Sequence, residues 1–75
     1  MDLQSVIEGC IAGNAKSQRM LFEFFAPKML AVCIRYTSNK MEAEDVLQEG
    51  FIKLFQRIDS FEFKGSFEGW LRRLF

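Results

Sequence analysis

From Ala43 to Phe55 the apolar residues recur at intervals of three and four, and no other feature constrains the fold so tightly. With each residue turning about 100°, Ala43, Val46, Leu47, Gly50, Phe51, Leu54 and Phe55 share one broad face. A half-buried strand would alternate with a period of two, so this stretch has to be a helix. Asn39 followed by Glu42 resembles a capping box, with Asn in place of the usual Ser or Thr. Glu42, Glu44 and Asp45 also suit the positive end of a helix dipole. The spacing predicts that this helix runs to about Ile58.

The same period governs the rest of the chain. Leu3, Val6, Ile7, Cys10 and Ile11 predict a first amphipathic helix, capped by Asp2 and ended at Gly13. Asn14 is placed to cap a second, which turns Met20, Leu21, Phe24 and Phe25 inward. Pro27 lacks a backbone donor and clashes with the preceding turn, so it either kinks that helix or starts a new one. The period resumes through Met29, Leu30, Val32, Cys33 and Tyr36, and Thr37, Ser38 and Asn39 break it. Residues 59–65 read as a loop, after which Ser66 caps a last helix bearing Phe67, Trp70, Leu71 and Leu74. There are no strand pairs, internal repeats or low-complexity linkers. The expected fold is all-α, a compact bundle of about four helices in one domain spanning residues 1–75.

A chain of 75 residues buries only about 60% of its unfolded surface, so its core must be dense. Its 49% apolar content and nine phenylalanines supply that core. The formal charge is zero and offers no argument for nucleic acid, but its distribution is uneven. Residues 42–56 set Glu42, Glu44, Asp45 and Glu49 against Lys53 alone, between two mildly basic segments. Such segregation is expected when different surfaces meet different partners.

Chemistry is sparse. Cys10 and Cys33 lie far apart in a chain without histidine, which is no metal-ligand pattern. Both are flanked by apolar residues and read as reduced core thiols. No glycine-rich phosphate loop occurs, and Asp45 with Glu49, one turn apart, reads as a solvated helix face rather than a catalytic pair. No apolar run reaches the roughly 18 residues of a membrane span, and no signal peptide opens the chain. The expectation is a cytoplasmic binding domain, not an enzyme, with no metal, cofactor, small-molecule substrate or membrane partner.

The long helix has a second face. Gln48, Glu49, Ile52 and Gln56 all lie within about 60° of Asp45, opposite the apolar side. A single exposed isoleucine is ordinary. Ringed by carboxylates and amides that can accept hydrogen bonds from arginines, Ile52 instead suggests the centre of a contact covered in a complex.

"AEDVLQEGFIKLF" followed by "GSFEGWLRRLF" closely resembles region 2 of bacterial sigma factors of the extracytoplasmic-function group. The upstream "FEFFAPKMLAVCIRY" looks like that family's first conserved helices, so the resemblance spans essentially the whole chain. It implies a domain of a transcription initiation factor with two tasks. The helix matching residues 43–57 docks on the clamp helices of the RNA polymerase core, through Asp45, Gln48 and Glu49. The face analysis adds Ile52 and Gln56. Phe51 also matches a family position, but its place on the apolar side assigns it to the core.

The second task is recognition and melting of the promoter −10 element, with a base of the non-template strand flipped into a pocket. By the resemblance, the loop of Asp59, Ser60, Phe61, Glu62, Phe63, Lys64 and Gly65 would hold that base. Lys64, Ser66, Arg72 and Arg73 would meet the DNA backbone. The residues themselves fit this: aromatic rings interleaved with cations suit single strands, whose bases stack while cations follow the phosphates. Trp70 fits core spacing, and of the alternating Phe61 and Phe63 one is expected to point inward. The family also implies an anti-sigma factor as a further partner. The family's last helix continues beyond the position of Phe75 into a second domain that reads the −35 element, so the chain is expected to be a fragment. The rival readings are a helical protein–protein module without DNA binding and, less favoured, a duplex-reading helix-turn-helix domain.

Overall fold

Each helix starts where a short polar side chain replaces a missing backbone partner. In the computed structural model, which describes all residues from Met1 to Phe75, these helices are α1 (Leu3–Ile11), α2 (Ala15–Ile34), α3 (Lys40–Arg57) and α4 (Phe67–Arg72). A 3-10 turn, Ile58–Ser60, follows α3 directly, and there are no strands. Asp2 accepts from the Ser5 hydroxyl at 2.7 Å, a bond that holds its carboxyl below the usual carboxylate range. Asn14 accepts from the Ser17 N–H at 3.1 Å, Asn39 from the Glu42 N–H at 2.8 Å and Ser66 from the Gly69 N–H at 3.1 Å. The capping box departs from its usual form, because the Glu42 carboxylate accepts from the Ser38 N–H at 3.4 Å, one residue before the cap. α1 ends as expected at Gly13, whose φ of 82° allows Asn14 N–H to reach Gly9 C=O at 2.9 Å and Gly13 N–H to reach Cys10 C=O at 3.0 Å.

α2 and α3 form the main packed pair, and α1 lies against α2. One row on α2, Leu21, Phe25, Met29 and Cys33, meets Ala43, Leu47, Phe51 and Leu54 of α3, together with Val6, Ile7 and Cys10 of α1, in a single core. Ile58, Phe61, Phe67 and Leu71 close its lower end. Burial pushes both the Cys10 and Cys33 thiols up from their ordinary value. Gly50 is buried where the Phe75 ring would collide with any β-carbon, so here the helix sacrifices propensity for a close ring contact. No helix is long and apolar enough to cross a membrane.

Several apolar residues expected inside are not. Ile11, Met20, Phe24 and Tyr36 are exposed. α2 carries apolar side chains around most of its circumference, and only the row in register with α1 and α3 can be covered. Pro27 does not start a new helix, since α2 is continuous through it. It sits on the exposed side, where the Glu23 carbonyl that lost its helical donor can turn to solvent.

Candidate functional site

α3 presents its second face cleanly. Asp45, Gln48, Glu49, Ile52 and Gln56 are all exposed, and Ile52 retains 57% of its surface although Phe51 beside it is buried. The ion pairs of the chain lie elsewhere: Lys40–Glu44, Lys64–Glu62, and Glu68 with both Lys28 and Arg72. The carboxylates of Asp45 and Glu49 therefore keep their full hydrogen-bonding capacity for other groups. The cap at Asn39 and the buried row on the opposite side fix the orientation of this face.

The segment after α3 is folded by its aromatic rings. The Ser60 hydroxyl donates to the Arg57 carbonyl at 2.6 Å and the Phe61 N–H donates to Ile58 C=O at 3.1 Å, which holds the 3-10 turn closed. Phe61 then extends inward and is only 7% exposed, whereas Phe63 remains 44% exposed. One ring points in and one out, as the alternation requires. Phe61 packs edge-on against Phe67 at 5.2 Å and tilted against Trp70 at 5.3 Å, with Phe63 leaning on it at 5.2 Å. Phe63 has a φ of 59°, left-handed backbone that costs a bulky residue about 1–3 kcal/mol. Gly65 makes the next left-handed turn at φ 72° and delivers the chain to the Ser66 cap.

This path lines a cavity of about 410 Å³ that is open to solvent on one side. Its apolar lining is Phe61 and Trp70, and its polar lining includes Ser60, Glu62, Lys64, Ser66 and Arg73. Gly65 and Gly69 complete the wall. Lys64 lies 3.8 Å from Glu62, both well exposed, so neither is fixed by the pair. Of the residues singled out in the loop and last helix, Asp59, Phe63 and Arg72 are not part of the wall. Arg72 turns instead to Glu68 at 3.3 Å, and the same carboxylate takes Lys28 at 3.3 Å, tying α4 to α2. Adjacent arginines point about 100° apart on a helix, and a carboxylate one turn back decides which of them faces the cavity.

Gly69 and Trp70 line the cavity without having been read as site residues. Trp70 is half-buried and packs on Phe61 and Phe67, so the core spacing was a correct reading of one side of the ring. A β-carbon at Gly69 would make only ordinary contact with Ser66, at 3.6 Å, so nothing in the sequence marks this position as part of the wall.

The sigma-70 region 2 family model matches residues 21–74. The chain is 37% identical over 54 residues to the ECF RNA polymerase sigma factor SigW of Bacillus subtilis, covering 72% of this chain and 29% of that protein. It is 30% identical over 71 residues to the RNA polymerase sigma-H factor of Pseudomonas aeruginosa and 32% identical over 71 residues to the ECF RNA polymerase sigma-E factor of Haemophilus influenzae. These two alignments each take in 95% of this chain and 37% of the relative. The chain thus spans about a third of the length of these curated relatives, from 29% to 37%. No solved structure gives a significant match. The region 2 signature and the sigma-factor relatives agree with the helical bundle, and the chain belongs to the sigma-70 region 2 family, in its extracytoplasmic-function group.

Proposed function

We propose that this domain docks on the clamp helices of RNA polymerase through α3 and captures a base of the opened −10 element in the cavity beside α4. It then acts in the cytoplasm, as one domain of a longer factor whose other domain reads the −35 element, under an anti-sigma partner. The observation that carries the reading is the cavity: a space with two aromatic rings, polar groups and two cations in its wall, directly downstream of an acidic helix with an uncovered isoleucine.

Docking proceeds from Ile52 outward. An apolar side chain at the centre of the contact expels water, and the carboxylates of Asp45 and Glu49 with the amides of Gln48 and Gln56 accept hydrogen bonds around it. Charge-assisted bonds to arginines are about twice as strong as neutral ones. The acidic field of residues 42–56 steers the approach of a basic partner surface.

Base capture requires an unstacked base, which costs a few kcal/mol. Stacking on an aromatic ring returns roughly 1–3 kcal/mol per base, and Phe61 and Trp70 supply the rings. Glu62, Ser60 and Ser66 offer acceptors and hydroxyls to the base edge, while Lys64 and Arg73 meet phosphates. Arg72 reaches phosphate only by leaving Glu68. Backbone contacts strengthen binding to every sequence, and the wall of the cavity carries the preference.

The test is a selection from randomised single-stranded DNA, with the enriched strands titrated against scrambled ones. A short enriched motif, lost in a Phe61 or Trp70 variant that remains folded, is the expected result. No enrichment, with α3 still binding the polymerase coiled coil, would leave a helical protein–protein module in place of the −10 reading.

A further inference from the structure

Helix α2 has a second apolar row that the fold does not use. Met20, Phe24, Pro27, Ala31 and Ile34 follow one another at intervals of four, three, four and three. They lie about 160° round the helix from the buried row, and extend about 21 Å along it. Met20 is 40% exposed, Phe24 47% and Ile34 50%, and Pro27 and Ala31 are exposed as well. This alternation is the seam of a helix that receives another helix.

The charges along the seam identify the occupant. Arg19 and Glu23 flank it on one side, Lys28 and Arg35 on the other, and Lys16 stands at its start. Lys28 shares Glu68 with Arg72, while Lys16, Arg19 and Arg35 make no ion pair within the chain. Three unpaired bases against one acid repel a second copy of the same face and attract an acidic one. Phe24 is already held in place, edge-on to Phe25 at 4.9 Å with Lys28 Nζ 5.1 Å from its ring centroid, so binding immobilises little more of it.

We propose that the outward face of α2 docks a single amphipathic helix with acidic flanks, contributed by a partner protein and packed along the Met20–Ile34 seam. This surface is on a different helix from the α3 face and is independent of the DNA reading.

The probe is a designed, labelled helical peptide of about 21 residues, three heptads with a leucine seam and glutamate flanks, beside a twin with lysine flanks. The glutamate peptide is expected to bind the 75-residue domain at least tenfold more tightly than the lysine twin, with amide shift changes confined to α2 and its neighbours. Met20→Glu and Ile34→Glu should each weaken it about tenfold or more while the helical circular dichroism is retained. Equal affinity for both peptides, or shifts elsewhere on the domain, overturns the proposal. So does sedimentation of the free domain as a dimer that Ile34→Glu dissociates. Adsorption to phosphatidylglycerol vesicles, lost in the same variants, with no binding of the glutamate peptide, would assign the seam to a membrane surface instead.

Discussion

In α3 the residues that hold the fold and those proposed to meet a partner lie on opposite sides of one helix; between Ser60 and Trp70 two rings, Phe61 and Trp70, belong to both sets. Phe51 and Leu54 face the core while Ile52 faces solvent, one residue away from the first and two from the second. In the following segment Phe61 closes the core and also lines the cavity, and Trp70 packs on it and lines the same space. A helix separates two tasks by angle, so each can change alone. A loop built from a few stacked rings cannot. The difference predicts that mutations will divide stability from binding in α3 and couple them around the cavity.

The largest effects belong to the core side of α3. Phe51→Ala or Leu54→Ala should lower stability by about 2–5 kcal/mol in chemical denaturation. Phe51 also touches Phe22 at 4.8 Å and Phe75 at 5.4 Å, so its loss opens space on several sides. A domain this small has about that much stability in total, and a folded, fully stable Phe51→Ala would break the assignment of sides.

Phe61 and Phe63 sharpen the other half of the comparison. Phe61→Ala should cost about 3 kcal/mol, the low end for a buried phenylalanine, and should impair single-strand binding along with it. Phe63→Gly should behave oppositely. Removing the β-carbon relieves about 1–2 kcal/mol of left-handed strain, against about 0.5–1 kcal/mol for the freer unfolded chain. The net is between no change and a gain of about 1.5 kcal/mol in thermal or denaturant unfolding. Destabilisation by Phe63→Gly would mean that the ring contact with Phe61 outweighs the strain.

These positions also show what a sequence can reveal. Helix starts were legible because caps are local: Asp2, Asn14, Asn39 and Ser66 each bond a backbone N–H three residues on. The outward place of Ile52 was legible because α3 has one apolar side and one polar side. α2 was not, because apolar residues surround it and the choice between the Leu21 row and the Met20 row is made by α1 and α3, distant in sequence. The left-handed backbone at Phe63, the contact of Phe75 with Gly50 and the division of labour between Arg72 and Arg73 likewise depend on partners that periodicity cannot show. Most of the cavity wall was within the stretch singled out from residues 59–66, while its far side, Gly69 and Trp70, was hidden behind a spacing that fits packing equally well.

Ile52→Glu tests the separation in α3 from the binding side. Stability should change by no more than about 0.5 kcal/mol, as for ordinary surface positions. Binding to the isolated polymerase clamp coiled coil should weaken by about 1 kcal/mol or more, measured by titration calorimetry. Unfolding of this variant would merge the two sides of α3, and unchanged binding would move the docking surface elsewhere.

The smallest expected effect distinguishes two neighbouring cations in the coupled region. Arg73 lines the cavity, whereas Arg72 is engaged by Glu68, which is itself anchored to Lys28 on α2. A phosphate contact made by one cation contributes about −0.7 to the slope of log affinity against log salt on a single strand. Arg73→Ala and Lys64→Ala should therefore each make the salt dependence shallower by about 0.7, with little change in the preference for one sequence over another. Arg72→Ala should leave the slope unchanged, because its charge is already occupied within the fold. A slope altered by Arg72→Ala and not by Arg73→Ala would show that the Glu68 pair opens on binding, and would turn the DNA path from the cavity side of α4 toward α2.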